Sequence, residues 1–310
     1  MQRETVEDEL LFIPGMADEG TRVDRFLADL PLSLSRTYIQ KILKDGGVLV
    51  NGRTVRASFR LSAEDRVCLH IPEVREPCIE AENIPLDILY EDEDLLVVNK
   101  PQGMVVHPSA GHMSGTLVNA LLYHCGDSLS GINGILRPGI VHRIDKDTSG
   151  ALVVCKNDSS HRGLAEQFAV HSCRRRYRAV LSGVLPQDAI TIDAPIGRDE
   201  RDRKRMAVVP EGKGKRAVTH LSVLQRFSSF TYTECVLETG RTHQIRVHTA
   251  SINTPVLGDP VYGRRKCPFS ELKGQVLHAM TLGFIHPRTG EIMDFTAPLP
   301  NYFEKLLQKL

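Results

Sequence analysis

No apolar run in this sequence approaches the roughly 18–20 residues needed to cross a bilayer, so a helical membrane protein is not expected. The N-terminus, MQRETVEDELLF, has neither the basic start nor the apolar middle of a secretory leader, and a cytoplasmic location is expected. Paired cysteine motifs are also missing. The seven cysteines (Cys68, Cys78, Cys125, Cys155, Cys173, Cys235 and Cys267) are odd in number, far apart and without a C-x-x-C, and no H-E-x-x-H occurs. Neither a disulfide framework nor a zinc site is therefore expected, and each cysteine reads as a small buried hydrophobe. There is no G-x-x-x-x-G-K-[ST] and no G-x-G-x-x-G, so no cofactor and no metal is called for.

What is present is an ordinary globular composition, 41% hydrophobic and 25% charged over 310 residues, a length that suits two domains better than one. The net charge of +1 hides an uneven distribution. Residues 1–20 set Arg3 against Glu4, Glu7, Asp8, Glu9, Asp18 and Glu19, and residues 73–94 set Arg75 against nine acids. The remainder is basic, notably in 21–66, in RRRYR (174–178) and in RDERDRKR (198–205). Separate basic stretches in a nearly neutral chain point to a polyanion met over a defined surface, which favours nucleic acid.

Residues 20–72 have the pattern of a small module, preceded by an extension at 1–19. TRVDRFLADL carries Val23, Phe26, Leu27 and Leu30 at helical spacing. SRTYIQKILKDGG is a second helix with Ser35 as N-cap, Gly46-Gly47 as terminator and an apolar face of Tyr38, Ile39, Ile42 and Leu43. Arg36, Gln40, Lys41 and Lys44 then fall on its solvent side. VLVNGRTV is a hairpin around Asn51-Gly52 of type I′. Arg36, Lys41 and Lys44, with Arg53 of the hairpin, make a platform for phosphates. The acidic, proline-containing stretch 73–85 reads as a linker. From 86 to 310 strands dominate and few connections are long enough for parallel crossovers. The expected class is α+β, with a mainly antiparallel mixed sheet.

The densest chemistry lies in VHRIDKDTSG (141–150). If Val141 to Asp145 is extended, Arg143 and Asp145 share a face and Ile144 packs behind them. The turn at Asp147-Thr148-Ser149-Gly150 can then hold the carboxylate at the edge of a sheet. In ETGRTHQIRVH (238–248), Gly240 breaks a strand and Thr242 can cap a helix that carries Arg246. A guanidinium facing a sheet needs a counter-ion, and Asp145 is the natural one; the pair would keep the carboxylate charged. RRRYRAVLSG places Tyr177 among arginines, an arrangement suited to stacking a base beside phosphate-binding charge.

Residues 21–72, through RxDxFLA, SRTYIQKIL and VLVNGRTV, resemble the alpha-L RNA-binding domain found in a small-subunit ribosomal protein and in RNA-modifying enzymes. HRIDKDTSG closely resembles the HRLDxxTSG signature of the RluA family of pseudouridine synthases, with Ile144 where leucine is usual. The likeness continues in YEDEDLLVVNKPQGMVVHPSAG (90–111), RRYRAVLSG (175–183), GRTHQIRVH (240–248) and LGDPVYG (257–263). Within the family, the chain is most similar to the subgroup that carries the same N-terminal module and acts on large-subunit ribosomal RNA. The resemblance implies a pseudouridine synthase domain in which Asp145 is the essential aspartate and Arg143 enters the RNA stack as the target uridine swings out. It further implies that Tyr177 stacks on the uracil, Arg246 pairs with Asp145, and Leu277 lines the base pocket.

The physical logic is consistent. Isomerising uridine to pseudouridine changes neither oxidation state nor composition, so no redox cofactor or metal is required. An extruded base costs a few kcal/mol of unstacking, which an inserted side chain offsets. Positive charge developing on the sugar is met by a fixed carboxylate, and water has to be kept out. The expected partner is large-subunit ribosomal RNA or a pre-ribosomal particle, with no membrane and nothing requiring more than a monomer. Two other classes stay open from sequence: a catalytically inactive RNA-binding ribosome-assembly factor, and a glycosidase that releases free uracil.

Overall fold

The structure, a computed structural model, describes residues 8–32, 34–71, 79–109, 111–126, 128–134, 137–202 and 205–310. They divide into two compact units, Met1–Glu76 and Pro77–Leu310.

In the first unit the expected helices form at Val23–Asp29 and Arg36–Lys44, the latter capped by Ser35 Oγ accepting from the Tyr38 N–H at 3.2 Å. Asn51 (φ 51°) and Gly52 (φ 77°) are both left-handed, which makes the type I′ turn that joins strands Val48–Val50 and Arg53–Thr54. The four-stranded antiparallel sheet has the order Asp8–Phe12, Val67–Ile71, Val48–Val50, Arg53–Thr54. The strand Asp8–Phe12 corrects the expectation of a separate extension over 1–19: its backbone pairs with Val67–Ile71 and belongs to the module. Val23, Leu27, Ile39, Ile42, Val48 and Leu69 form the buried core between helices and sheet.

The first turn of helix Val23–Asp29 carries a buried carboxylate with no counterpart among the expected features. Asp24 accepts from Arg22 Nε (3.0 Å), from Arg36 Nη2 (2.9 Å) and from Gln40 Nε2 (2.7 Å). Arg36 and Gln40 are exposed, as expected for the solvent side of the helix, and their polar ends also bond the Asp24 carboxylate. Lys41, Lys44 and Arg53 are exposed.

The second unit is built on a nine-stranded sheet in the order Ile88–Glu91, Leu95–Lys100, Ser149–Cys155, Leu277–Ile285, Arg174–Ser182, Phe230–Leu237, Val218–Arg226, Ala189–Asp193, with Ile292–Thr296 also pairing Leu277–Ile285. One pairing is parallel, between Ser149–Cys155 and Leu277–Ile285; the others are antiparallel, so the α+β expectation holds. The stretches Leu95 to Val98 and Ala151 to Cys155 of strands Leu95–Lys100 and Ser149–Cys155 are apolar at every position because both faces are covered. Leu96, Val98, Leu152 and Val154 pack on one side with helix Leu117–Cys125, and Leu95, Val97, Ala151 and Val153 pack on the other with Leu164 of helix Asp158–Ala169.

The expected linker ends earlier than 85. Residues 72–78 lie outside the described set, but 79–85 already belong to the second unit: Glu82 N–H donates to the Asn119 carbonyl at 3.0 Å and Asn119 Nδ2 to the Glu80 carbonyl at 2.8 Å. Cys68, Cys155, Cys173 and Cys235 are buried as expected, Cys125 is half-buried, Cys267 is exposed, and Cys78 lies outside the described residues. No helix among the described residues is long and apolar enough to cross a membrane.

Burial alone would raise the Asp24 carboxyl, but the hydrogen bonds from Arg22, Gln40 and Arg36 outweigh it and bring it down to about 2. A depressed carboxylate pKa gives stability that is complete above the ordinary value of 3.8 and lost as the pH falls towards about 2. Asp24→Asn should abolish that acid-dependent component and cost the module about 2–3 kcal/mol near pH 7, the two half-exposed guanidinium groups being free to take water in its place. Denaturant titrations of wild type and variant between pH 2 and pH 7 check both statements.

Candidate active site

The segment 141–148 is irregular and runs into strand Ser149–Cys155. Ile144 is buried beside Leu96, Leu117 and Leu152, and this anchors the middle of the segment. Thr148 N–H donates to the Asp145 carbonyl at 3.1 Å and closes the turn that follows. The next carbonyl, of Lys146, accepts from Gly103 N–H at 2.9 Å and from Lys100 Nζ at 3.0 Å. Lys100 is fully buried, and its ammonium also donates to the carbonyls of Pro101 (2.8 Å) and Met104 (2.9 Å), so all three protons are used. Burial pulls this lysine down to about 7, against the opposing charges of Asp147 and Asp145.

Gly150 explains the end of the signature. Its φ is +117°, and a Cβ there would lie 2.3 Å from the Ala279 carbonyl oxygen, where the parallel strand passes. Only glycine lets this segment enter the sheet at this point. That strand carries Leu277, while Tyr177 sits opposite Ala279 and Cys235 in the two flanking registers. Tyr177 and Leu277 therefore converge on Asp145 although they are 100 residues apart in sequence.

Arg246 makes the expected pair. Its Nη1 donates to Asp145 Oδ2 at 2.8 Å. It also makes a pair that was not expected: Nε and Nη2 donate to Asp259 Oδ2 (2.7 Å) and Oδ1 (3.0 Å) in a bidentate bridge. Side-chain exposure falls from 20% for Asp145 to 5% for Arg246 and 0% for Asp259. Asp259 is itself fixed by the N–H groups of Val261 (2.8 Å) and Tyr262 (3.0 Å). Burial alone would raise the Asp259 carboxyl and lower the Arg246 guanidinium. The hydrogen bonds between them reverse both, lowering the carboxyl and raising the guanidinium.

The helix carrying Arg246 is Gln244–Ser251, and its N-cap is His243 rather than Thr242. His243 adopts a left-handed backbone (φ 57°, ψ 21°), a conformation that costs a non-glycine residue about 1–3 kcal/mol and concentrates at functional sites. Gln244 locks the junction, since its Oε1 accepts from Thr239 Oγ1 (2.8 Å) and Arg241 N–H (3.0 Å) while Nε2 donates to the Val218 carbonyl (2.9 Å). His243 Nδ1 lies 2.8 Å from Tyr262 Oη, and Nε2 lies 3.8 Å from Asp145 Oδ1. Burial lowers the imidazole pKa despite the pull of Asp145.

All five residues singled out by sequence converge here: Asp145, Arg143, Tyr177, Arg246 and Leu277 line one cavity with Thr148, Leu237, Arg241 and His243. An adjoining cavity of about 600 Å³ shares Arg143, Asp145, Tyr177, Arg241 and His243 and extends to Phe168, His171 and Arg175. Arg143 is exposed, with Nη1 3.4 Å from Nε2 of His107. Burial, reinforced by Arg143 and Arg137, brings His107 down to about 4, so a neutral imidazole accepts that bond. Burial pushes the Tyr177 hydroxyl up to about 12, which leaves it a neutral ring wall. The chemistry available is that of a fixed carboxylate with one oxygen bound to a guanidinium and the other facing a cavity walled by an aromatic and a leucine. It can meet positive charge developing on a sugar carbon, or capture that carbon.

Asp259, His243, Tyr262, Lys100 and His107 had no assigned role in the sequence reading. LGDPVYG, NKP and HPSAG drew attention as stretches, but nothing in their spacing shows that an aspartate and a lysine within them are buried. Among the described residues, carboxylates and imidazole come within metal reach at Asp92, Asp94 and His286, whose ligand atoms lie within 4.8 Å of one another. These groups already satisfy each other. His286 Nε2 donates to Asp92 (2.9 Å), Tyr90 Oη also donates to Asp92 (2.8 Å), and Arg288 pairs with Asp94.

Residues 94–251 match the family model for RNA pseudouridylate synthase, and residues 21–67 match the S4 domain. The chain is 54% identical over 292 residues to a Bacillus subtilis protein described as uncharacterized RNA pseudouridine synthase YlyB, covering 94% of this chain and 95% of that one. It is 50% identical to the ribosomal large subunit pseudouridine synthase D of Zymomonas mobilis, covering 94% of each chain. Among solved structures, human RNA pseudouridylate synthase domain containing 1 superposes with a TM-score of 0.58 at 25% identity, over 74% of this chain and 96% of that one.

Replacing Asp259 with asparagine leaves the buried Arg246 with one counter-charge, itself partly solvated. The variant should lose roughly 3–5 kcal/mol of unfolding free energy, whereas Asp145→Asn, which leaves the bidentate pair intact, should stay within about 1 kcal/mol of wild type. Chemical denaturation of the two variants side by side checks this, and equal losses would contradict the assignment of Asp259 as the main counter-ion.

Proposed function

The chain belongs to the RNA pseudouridylate synthase family, a family of isomerases, and from that premise we propose that Asp145 is its essential aspartate and that its targets are uridines of large-subunit ribosomal RNA. The observation that carries the reading is the 2.8 Å bond from Arg246 to Asp145 at the floor of the cavity walled by Tyr177 and Leu277. The guanidinium occupies one carboxylate oxygen and keeps the group aimed at the cavity, where charge appears on the ribose as the glycosidic bond opens. Tyr177 stacks on the freed uracil and Leu277 covers its edge, so the ring can turn and rejoin through carbon while water stays out. Arg143, exposed at the mouth, enters the gap left in the RNA stack.

The ribosomal target is supported by the relatives named ribosomal large subunit pseudouridine synthase D and by the S4 domain match. In that module Lys41, Lys44 and Arg53, with the exposed part of Arg36, supply phosphate contacts. The enzyme works in the cytoplasm as a monomer, on ribosomal RNA or on the assembling large subunit.

Chemical mapping of pseudouridine in large-subunit RNA from cells lacking the protein, complemented with wild type or Asp145→Asn, tests the reading. Specific sites should return only with wild type. Sites restored by the variant would refute Asp145 as the reacting group, and release of free uracil would indicate a glycosidase. In filter-binding assays, Lys41→Ala/Lys44→Ala should weaken RNA binding and reduce the slope of log K against log salt by about one to two.

A further inference from the structure

The position of His243 beside the carboxylate has a consequence that rests on the pseudouridine synthase reading above and goes beyond it. The tautomer of this imidazole is determined by its neighbours. Met206 N–H donates to Tyr262 Oη at 2.9 Å, so that oxygen acts as an acceptor there. The Tyr262 hydroxyl proton then has one acceptor among the described residues, His243 Nδ1 at 2.8 Å. A neutral imidazole that accepts at Nδ1 carries its proton on Nε2. That nitrogen lies 3.8 Å from Asp145 Oδ1, the oxygen that Arg246 leaves free.

The 3.8 Å separation of Nε2 from Oδ1 is too long for a hydrogen bond, but it suits two groups bonded through one shared oxygen about 2.8 Å from each. That oxygen has to accept from nitrogen and donate to a carboxylate, as a hydroxyl does. A nucleotide inside an RNA strand has its 3′ and 5′ oxygens in phosphodiester links, so its sugar offers a single hydroxyl, the 2′-OH. This hydroxyl sits on the carbon next to the one whose bond to uracil is broken.

We propose that His243 Nε2–H and Asp145 Oδ1 form a donor–acceptor pair that grips the 2′-hydroxyl of the target uridine, selecting RNA over DNA and placing Asp145 beside the anomeric carbon. His243 is then a substrate-binding residue, and Tyr262 is a positioning residue that acts through it.

The test uses two RNA hairpins containing a uridine identified by the mapping above, one all-ribose and one with a single 2′-deoxy sugar at that uridine. For wild type, the deoxy substitution should lower kcat/KM by about 10- to 100-fold. His243→Ala should slow the all-ribose hairpin by a similar factor, and the deoxy penalty should then shrink below about threefold, because both changes remove one interaction. His243→Gln, which keeps an N–H donor at similar reach, should retain part of the penalty. An undiminished penalty in His243→Ala, or no penalty in wild type, would overturn the proposal. A wild type inactive on the all-ribose hairpin would instead count against the choice of target. Should the alanine variant fail to fold, ring nitrogen shifts in ¹⁵N NMR decide separately. Wild type should show His243 protonated at Nε2 and Tyr262→Phe should release that preference; a wild-type Nδ1–H tautomer would overturn the proposal.

Discussion

A single guanidinium shared between two carboxylates organises the catalytic unit. Arg246 meets Asp145 from the HRIDKDTSG segment and Asp259 from LGDPVYG, while it sits itself in the first turn of a short helix. A buried cation with one partner would leave the balance between desolvation and attraction unfavourable. With two partners the charges sum to minus one, and the surplus lies on the more exposed member, Asp145. Asp259 stabilises the arginine through both of its oxygens, so Asp145 is held through Oδ2 alone and its Oδ1 is left to the cavity side.

Around this triad the backbone is tied down rather than left as loops. The Lys100 ammonium gathers three carbonyls, one of them from the residue after Asp145, and so links the strand Leu95–Lys100 to the reactive turn. Gln244 ties the helix start to the strand Val218–Arg226. Gly150 allows the reactive segment to touch Ala279 of the neighbouring strand. Each device replaces mobile solvent contacts with fixed protein partners, the condition under which a carboxylate stabilises charge without reorganising first.

The contrast with the first unit is informative. There a buried carboxylate, Asp24, accepts hydrogen bonds at both oxygens, Oδ1 from Arg22 and Oδ2 from Arg22, Arg36 and Gln40. The two sites hold similar residue types, and both involve an arginine close to an aspartate in sequence: Arg22 and Asp24, Arg143 and Asp145. In the first, the neighbours bond each other directly. In the second, Arg143 turns away to His107 and Asp145 takes its partner from 101 residues further along the chain. An R-x-D pattern alone therefore does not show whether the two residues bond each other or take separate partners.

Much was legible in the sequence, for definite reasons. Local signals carried through: the capped helix from Arg36, the Asn51-Gly52 turn and the predominance of strands beyond residue 86. Each depends on backbone preference or on periodic burial within one segment. The motif stretches identified Asp145, Arg143, Tyr177, Arg246 and Leu277, and the fold brings all five to one cavity. The inclusion of Asp8–Phe12 in the module was not legible, because an edge strand is decided by what pairs with it. Nor was the buried Asp24, the left-handed His243, the bidentate Asp259 or the buried Lys100. A charged side chain looks the same in sequence whether it faces water or a counter-ion. Which of the two it faces is decided by distant segments that the tertiary fold brings within 3 Å, where desolvation makes the pairing obligatory.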